Sequence, residues 1–230
     1  MEESAIMTTD SAARGQQTRA SLLEAAVQLI VEEGWGAATT RKMAERAGVR
    51  PGVVHYHFGT VTNLLVEAAL DTIRRELQRV VALFDGHDAP TGLNDMLKVV
   101  GQYTADDPLT VLMSETLLAA TRVERLRVEV SALLREYRAA TGQWLRAQGV
   151  EDAEATAVVL SAALDGLVLH RMLDPELRAA SLTGPLLRMA GVDPMAANSP
   201  EDADVDPTAA NSPEDAGVDP TAANSPVSAE

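Results

Sequence analysis

The segment Thr39–Phe58 carries the side chains best placed for chemistry with a partner. It reads as two short helices, Thr40–Ala47 and Pro51–Phe58, joined by a turn around Gly48–Arg50. Met43, Ala44, Ala47 and Val49 supply one helix with apolar contacts for Val54 and Phe58 of the other. Between Trp35 and Thr60, Arg41, Lys42, Arg46 and Arg50 stand against Glu45 alone, a local charge of +3. The second helix opens on Pro51 and Gly52, so its free N–H groups could approach a phosphate closely. A short helix of this kind fits the DNA major groove, where base edges form an unambiguous donor and acceptor code. The chemistry implied is recognition.

Catalysis and metal binding find little material. His55 and His57 stand two residues apart, which on a helix turns their rings about 200° from each other and prevents joint ligation of one ion. With no cysteine, disulfides and thiolate-bound metals are excluded. Phosphate loops, nucleophile elbows and dinucleotide fingerprints do not occur in the sequence. The expectation is a protein that is not an enzyme, with no metal and no cofactor.

Bulk composition sets the frame for these elements. The chain has 230 residues, 23% charged and 46% hydrophobic, with only 3% aromatic. A core of Leu, Val, Ala and Met suits packed helices, and no stretch alternates with a period of two over a strand's length. The net charge of −15 is unevenly spread: residues 192–230 hold nine acidic residues and no basic one, which leaves −6 for the rest. Overall acidity therefore does not forbid nucleic acid, since phosphate attraction belongs to the contacting face. No apolar run is read as reaching the roughly 20 residues of a membrane span, and Met1–Arg14 lacks a signal-peptide core. The expected address is the cytoplasm, with no membrane partner.

Along the chain, residues 1–13 read as disordered, 14–60 as the helix-turn-helix domain, 61–191 as a larger helical domain, and 192–230 as a disordered acidic tail. Helix one is expected over Thr18–Glu33 and a longer helix from Thr60 to about Phe84. Further helices are expected at about 91–105, 107–120, 123–148, 151–173 and 176–190, with a loop over Asp85–Pro90. The 123–148 helix would span about 39 Å, more than a small core needs, so helices 123–148 and 151–173 are the expected surface for a second subunit. The tail is a thirteen-residue unit in three copies, beginning at Val192, Val205 and Val218. Two prolines per copy forbid a long helix.

The chain strongly resembles the TetR family of bacterial regulators. The matching residues run from Arg19 and Ala25–Ala26 through Gly34, Thr39, Ala44, Ala47–Gly48–Val49, Gly52 and Tyr56–His57–Phe58 to Leu64–Leu65. The resemblance implies an all-α homodimer with three N-terminal helices holding the DNA reader and a helical C-terminal domain that dimerises and binds a small-molecule effector. It implies DNA contacts at Thr39, Arg41, Lys42, Arg50, Pro51, Gly52, Val53, His55 and Tyr56, on double-stranded DNA with a palindromic operator. Val53 would offer apolar contact, for example to a thymine methyl; Arg41 could grip guanine with two bonds. Three positions depart from the family pattern: His55 replaces a tyrosine, Arg50 a capping serine or threonine, and Val61 a phosphate-holding lysine. The expected function is ligand-released repression of transcription. The second reading, a small-molecule-binding or interaction protein with a vestigial reader, rests on Val61 and the acidic balance. In the larger domain, Met96, Tyr103, Met113, Trp144 and Met172 are the candidate ligand-binding residues.

Overall fold

The computed structural model describes residues 2–174, 176–177 and 181–193. Among them the secondary structure is helical throughout. The elements are α1 (Glu2–Glu33), a short 3-10 turn (Trp35–Ala37), α2 (Thr40–Arg46), α3 (Pro51–Phe58) and α4 (Val61–Ala82). They continue with α5 (Ala89–Gln102), α6 (Pro108–Ala120), α7 (Glu124–Ala147), α8 (Ala153–Leu173) and α9 (Thr183–Met189).

Helix starts follow the capping chemistry. The side chains of Thr39, Thr60, Asp88 and Asp107 accept the backbone N–H of Lys42, Asn63, Thr91 and Thr110 at 2.8–3.3 Å, and so fix the starts of α2, α4, α5 and α6. The Asp88 cap draws α5 forward to Ala89, inside the stretch expected to be loop. At the other end of the chain, Pro185 lacks an N–H and must sit in a first turn, so α9 starts at Thr183 rather than 176. The backbone is helical from Glu2, because no proline interrupts the segment and it runs straight into the packed α1. Val192, expected in the tail, donates its N–H to the Leu187 carbonyl at 2.9 Å and packs on the core. The expected disorder beyond residue 193 lies outside the described residues.

Three buried clusters organise the fold. One joins Leu22, Leu29 and Ile30 of α1 to Met43, Val54, Phe58 and Leu64, and takes in Leu112 from α6. The second packs α4 on α7 through Leu70, Ile73, Leu126 and Val130. The third holds α5, α7, α8 and α9 together through Leu93, Leu145, Leu160 and Leu186. Helix α8 is long and apolar enough to cross a membrane by length and composition alone. Its residues Ala157, Leu160 and Leu164 turn inward to the third cluster, and Val159, Leu169 and Leu173 lie on the exposed side.

Trp144 departs from the sequence expectation. Its ring stacks on Phe84 at 4.4 Å between centroids, 11° from parallel, and its Nε1 donates to the His87 carbonyl at 3.3 Å. The stack is possible because α5 presents Gly92 beneath it: a Cβ there would lie 2.6 Å from Trp144 Cζ2. Gly92→Ala gains helix propensity of about 1 kcal/mol but must displace a ring held on both sides. The expected result is a net destabilisation of about 1–2 kcal/mol, read from urea unfolding midpoints. A variant as stable as the parent would mean that the ring shifts freely.

Candidate nucleic-acid interface and internal cavity

The α2–turn–α3 unit is built around a small set of buried side chains. Met43, Ala44, Val54 and Phe58 are buried, and the Val49 N–H closes the turn by donating to the Ala44 carbonyl at 2.9 Å. Gly48 at φ +66° lets the chain leave α2 in the left-handed region. The Arg19 guanidinium lies 5.1 Å from the Phe58 ring centroid and is itself paired with Glu67, so α1, α3 and α4 are clamped together. What remains outside is the other face of α3. Arg50, Pro51, Gly52 and His55 are exposed, Val53 and His57 are half-buried, and Tyr56 is 84% exposed. His55 Nδ1–H donates to the Gly59 carbonyl at 2.8 Å, leaving Nε2 outward.

The basic face is smaller than the sequence count suggests. Lys42 pairs with Glu33, and Arg46 with Glu32 at 2.5 Å. Both carboxylates come from the end of α1, which the count between Trp35 and Thr60 omits. Thr39 caps α2 as expected and is exposed; Arg41 and Arg50 make no ion pair among the described residues.

A second feature is a cavity of about 390 Å³ between α4, α5, α6, α7 and α8. Met96, Tyr103, Met113 and Met172, all expected from the sequence, line it; Trp144 does not, because it is committed to Phe84 and Gly92. Tyr137, Glu76, Arg138 and Asp165 also line it and were missed. The readable signal for Asp165 was a lone carboxylate deep in the apolar run of α8. Glu76 accepts from Arg79 at 2.9 and 3.2 Å and from the Tyr103 hydroxyl. Burial, with help from Glu76, pushes the Tyr103 hydroxyl well above the ordinary phenol range, and burial lifts Tyr137 to about 12.

Asp165 lines the cavity and is also exposed to solvent. Its pKa is raised because partial burial disfavours the carboxylate, and Arg138 opposes this only in part. A raised pKa means that the folded state binds the proton more tightly than the unfolded chain. The resulting penalty on stability is absent at low pH and sets in as pH rises through the carboxylate range. Asp165→Asn is therefore expected to raise the melting temperature at pH 7.5, with the gain shrinking as pH falls into the carboxylate range. A gain independent of pH would remove this electrostatic account.

Two struts connect the cavity region to the reader. On α6, Met113 and Ser114 line the cavity, while Leu112 is buried in the reader's cluster and Glu115 accepts the Trp35 N–H at 2.8 Å. From α7, Arg125 donates to Asn63 Oδ1 at 2.9 Å, and Asn63 Nδ2 donates to the Phe58 carbonyl at 3.0 Å, at the end of α3.

Comparison with known proteins agrees with this arrangement. Residues 22–68 match the family model described as bacterial regulatory proteins, tetR family, and residues 88–192 match the tetracyclin repressor-like C-terminal domain. Rv2912c, an uncharacterised HTH-type transcriptional regulator of Mycobacterium tuberculosis, is 31% identical over 129 residues; the match spans 55% of this chain and 65% of that relative's length. The HTH-type transcriptional regulator TtgR of Pseudomonas putida is 28% identical over 175 residues, 70% of this chain and 83% of its own. The crystal structure of SCO7518 from Streptomyces coelicolor A3(2) superposes with a TM-score of 0.60 at 30% identity, covering 76% of this chain and 98% of that one.

Proposed function

The chain belongs to the TetR family of bacterial transcription regulators, and from that premise we propose that it is a homodimeric, operator-specific repressor released by a small molecule. The observation that carries the reading is the outward face of α3, where Tyr56 is held 84% exposed on a rigidly clamped helix. A large aromatic left in water on such a helix suits contact with a duplex. Gly52, just behind the helix-starting Pro51, can offer its backbone N–H to a phosphate, and Arg41 and Arg50 supply charge.

Dimerisation is supported by the exposed side of α8. Ala155, Val159, Ala162, Gly166, Leu169 and Leu173 recur at intervals of four and three residues, a continuous seam of the kind that packs against a second helix. The outward surface of α7 is instead charged, with Arg125–Glu129 and Arg127–Glu124 pairs, so α8 is the stronger candidate of the two helices expected from the sequence. A dimer would set two α3 helices into major grooves about 34–36 Å apart. The cavity serves as the effector site, and an occupant that favours another reader spacing lowers operator affinity.

The test is selection from genomic fragments at about 0.15 M salt, where specific sites should be bound at least a thousandfold more tightly than random DNA. The Arg41→Ala/Tyr56→Ala pair should lose about a hundredfold in specific affinity. No preferred fragment would end the DNA-binding reading. The pairing with α1 gives a separate expectation. Glu32→Gln with Glu33→Gln frees Arg46 and Lys42, so binding to random duplex should strengthen and its log–log salt slope should steepen by about one to two. An unchanged slope would mean that those cations face away from phosphate.

A further inference from the structure

We propose that His55 takes up a proton when the reader closes on a duplex, changing from a neutral hydrogen-bond acceptor into a cation that holds a backbone phosphate. DNA binding is thereby coupled to pH. This rests on reading α3 as the DNA reader. His55 is exposed on α3, in its last turn. Its Nδ1 lies 2.8 Å from the Gly59 carbonyl oxygen, which can only accept, so the neutral ring carries its proton on Nδ1. Gly59, at φ +73°, donates its own N–H to the His55 carbonyl at 2.9 Å, so ring and turn hold each other in place. The outward Nε2 is then a bare lone pair. A phosphate oxygen is an acceptor too, and the two repel. Protonation reverses the relation: Nε2–H becomes a charge-assisted donor while the Gly59 bond is kept, so the ring need not move.

No carboxylate lies within 4.0 Å of the ring among the described residues, so a phosphate would be its first counter-ion. The charged groups on the elements around α3 are Arg19 of α1, Arg41, Lys42, Glu45 and Arg46 of α2, Glu67 of α4 and Arg125 of α7. Arg19 is paired with Glu67, Lys42 with Glu33, Arg46 with Glu32 and Arg125 with Glu129. Arg50 stands at the opposite end of α3, and the first turn of α4, Val61–Leu64, contains no cation. On α3 itself the neighbouring titratable groups are Tyr56 and His57, whose rings meet edge to face at 5.0 Å. Of all these groups, His57 is the other that belongs to a residue type changing charge between about pH 5 and 8. A duplex brings dense negative charge to the outward face, and an adjoining opposite charge favours the protonated imidazole. The carbonyls at the C-terminal end of α3 act in the same direction. By linkage, proton uptake on binding means that binding strengthens as pH falls.

The experiment follows binding of the full chain to a random-sequence duplex by fluorescence anisotropy, across a salt series at several pH values. From about pH 8 to about pH 6 the affinity should rise about tenfold or more. Over the same interval the log–log salt slope should steepen by about one for each reader engaged. His55→Gln, whose amide donates at every pH, should lose most of the rise and the steepening. His55→Arg should show at the alkaline end the affinity and slope that the parent reaches at the acid end. His57→Gln should keep the parental pH response, and melting curves report that each variant is folded. Nitrogen-15 NMR of the ring should find Nδ1 protonated and Nε2 bare in the free protein at about pH 8, and both protonated on the duplex at about pH 6. An Nε2–H tautomer in the free protein, a pH response that survives in His55→Gln, or one that is lost in His57→Gln overturns the proposal. A duplex bound with one slope at every pH leaves the reader standing and the proton coupling wrong. If no duplex is bound at any pH, the DNA-binding reading falls with it.

Discussion

Val159→Glu together with Leu173→Glu is expected to convert the protein to a monomer and to reduce operator affinity at least a hundredfold. Both side chains belong to the α8 seam, 51% and 78% exposed in the single chain, and neither lines the cavity. In a monomer the two glutamates lie in water and cost the fold little. In a dimer formed across the seam they meet their own symmetry mates, burying like charges without partners. Loss of the second reader removes the gain from engaging two half-sites on one duplex. Light scattering coupled to size exclusion gives the mass, and fluorescence anisotropy gives the operator affinity. A variant that remains dimeric would move the interface elsewhere; a monomer with undiminished affinity would make one reader sufficient.

The second large effect is expected at Glu115. This carboxylate reaches out of α6 to accept the Trp35 N–H at 2.8 Å, and it lies so close to Gly34 that a Cβ there would be 3.3 Å from Oε2. Gly34 takes φ +85°, where a side chain would be strained, so the chain turns tightly beneath the carboxylate. Removing the acceptor leaves a partly buried N–H unpaired, at a cost of about 1–3 kcal/mol. The reader then samples other orientations and must be re-ordered on the operator. Glu115→Ala should weaken operator binding of the ligand-free protein about tenfold, equivalent to about 1.4 kcal/mol. Glu115→Gln keeps an acceptor oxygen and should retain most of the affinity. Hydrogen exchange at the Trp35 amide should quicken in the alanine variant only. Parental affinity in Glu115→Ala would mean that Leu112 packing and the Arg125–Asn63 bond suffice to hold the reader.

The reader could be read from sequence because its determinants are local. Thr39, Gly48, Pro51 and Thr60 mark helix ends by chemistry that acts within three or four residues, and Val54 and Phe58 fall on one face by helical spacing. The cavity was partly legible, since Met96, Tyr103, Met113 and Met172 are gap-filling residues at helical spacing. Trp144 was misplaced because its environment depends on Gly92, 52 positions away, and on how closely α5 can approach α7. The pairs Lys42–Glu33 and Arg46–Glu32 were missed for a similar reason: they exist only once α1 crosses α2. Asp165 was visible as a solitary charge in an apolar helix, but its place on the cavity wall is a statement about three dimensions.

Those two ion pairs also bear on how the protein finds its site. A chromosome offers about a million or more wrong positions for every right one, and the hold on each is set by how many phosphates the reader neutralises. With Lys42 and Arg46 already engaged by α1, the sliding complex has fewer cations to spend on anonymous duplex. Each visit is shorter, fewer copies are sequestered along the genome, and a small population of molecules can keep an operator occupied.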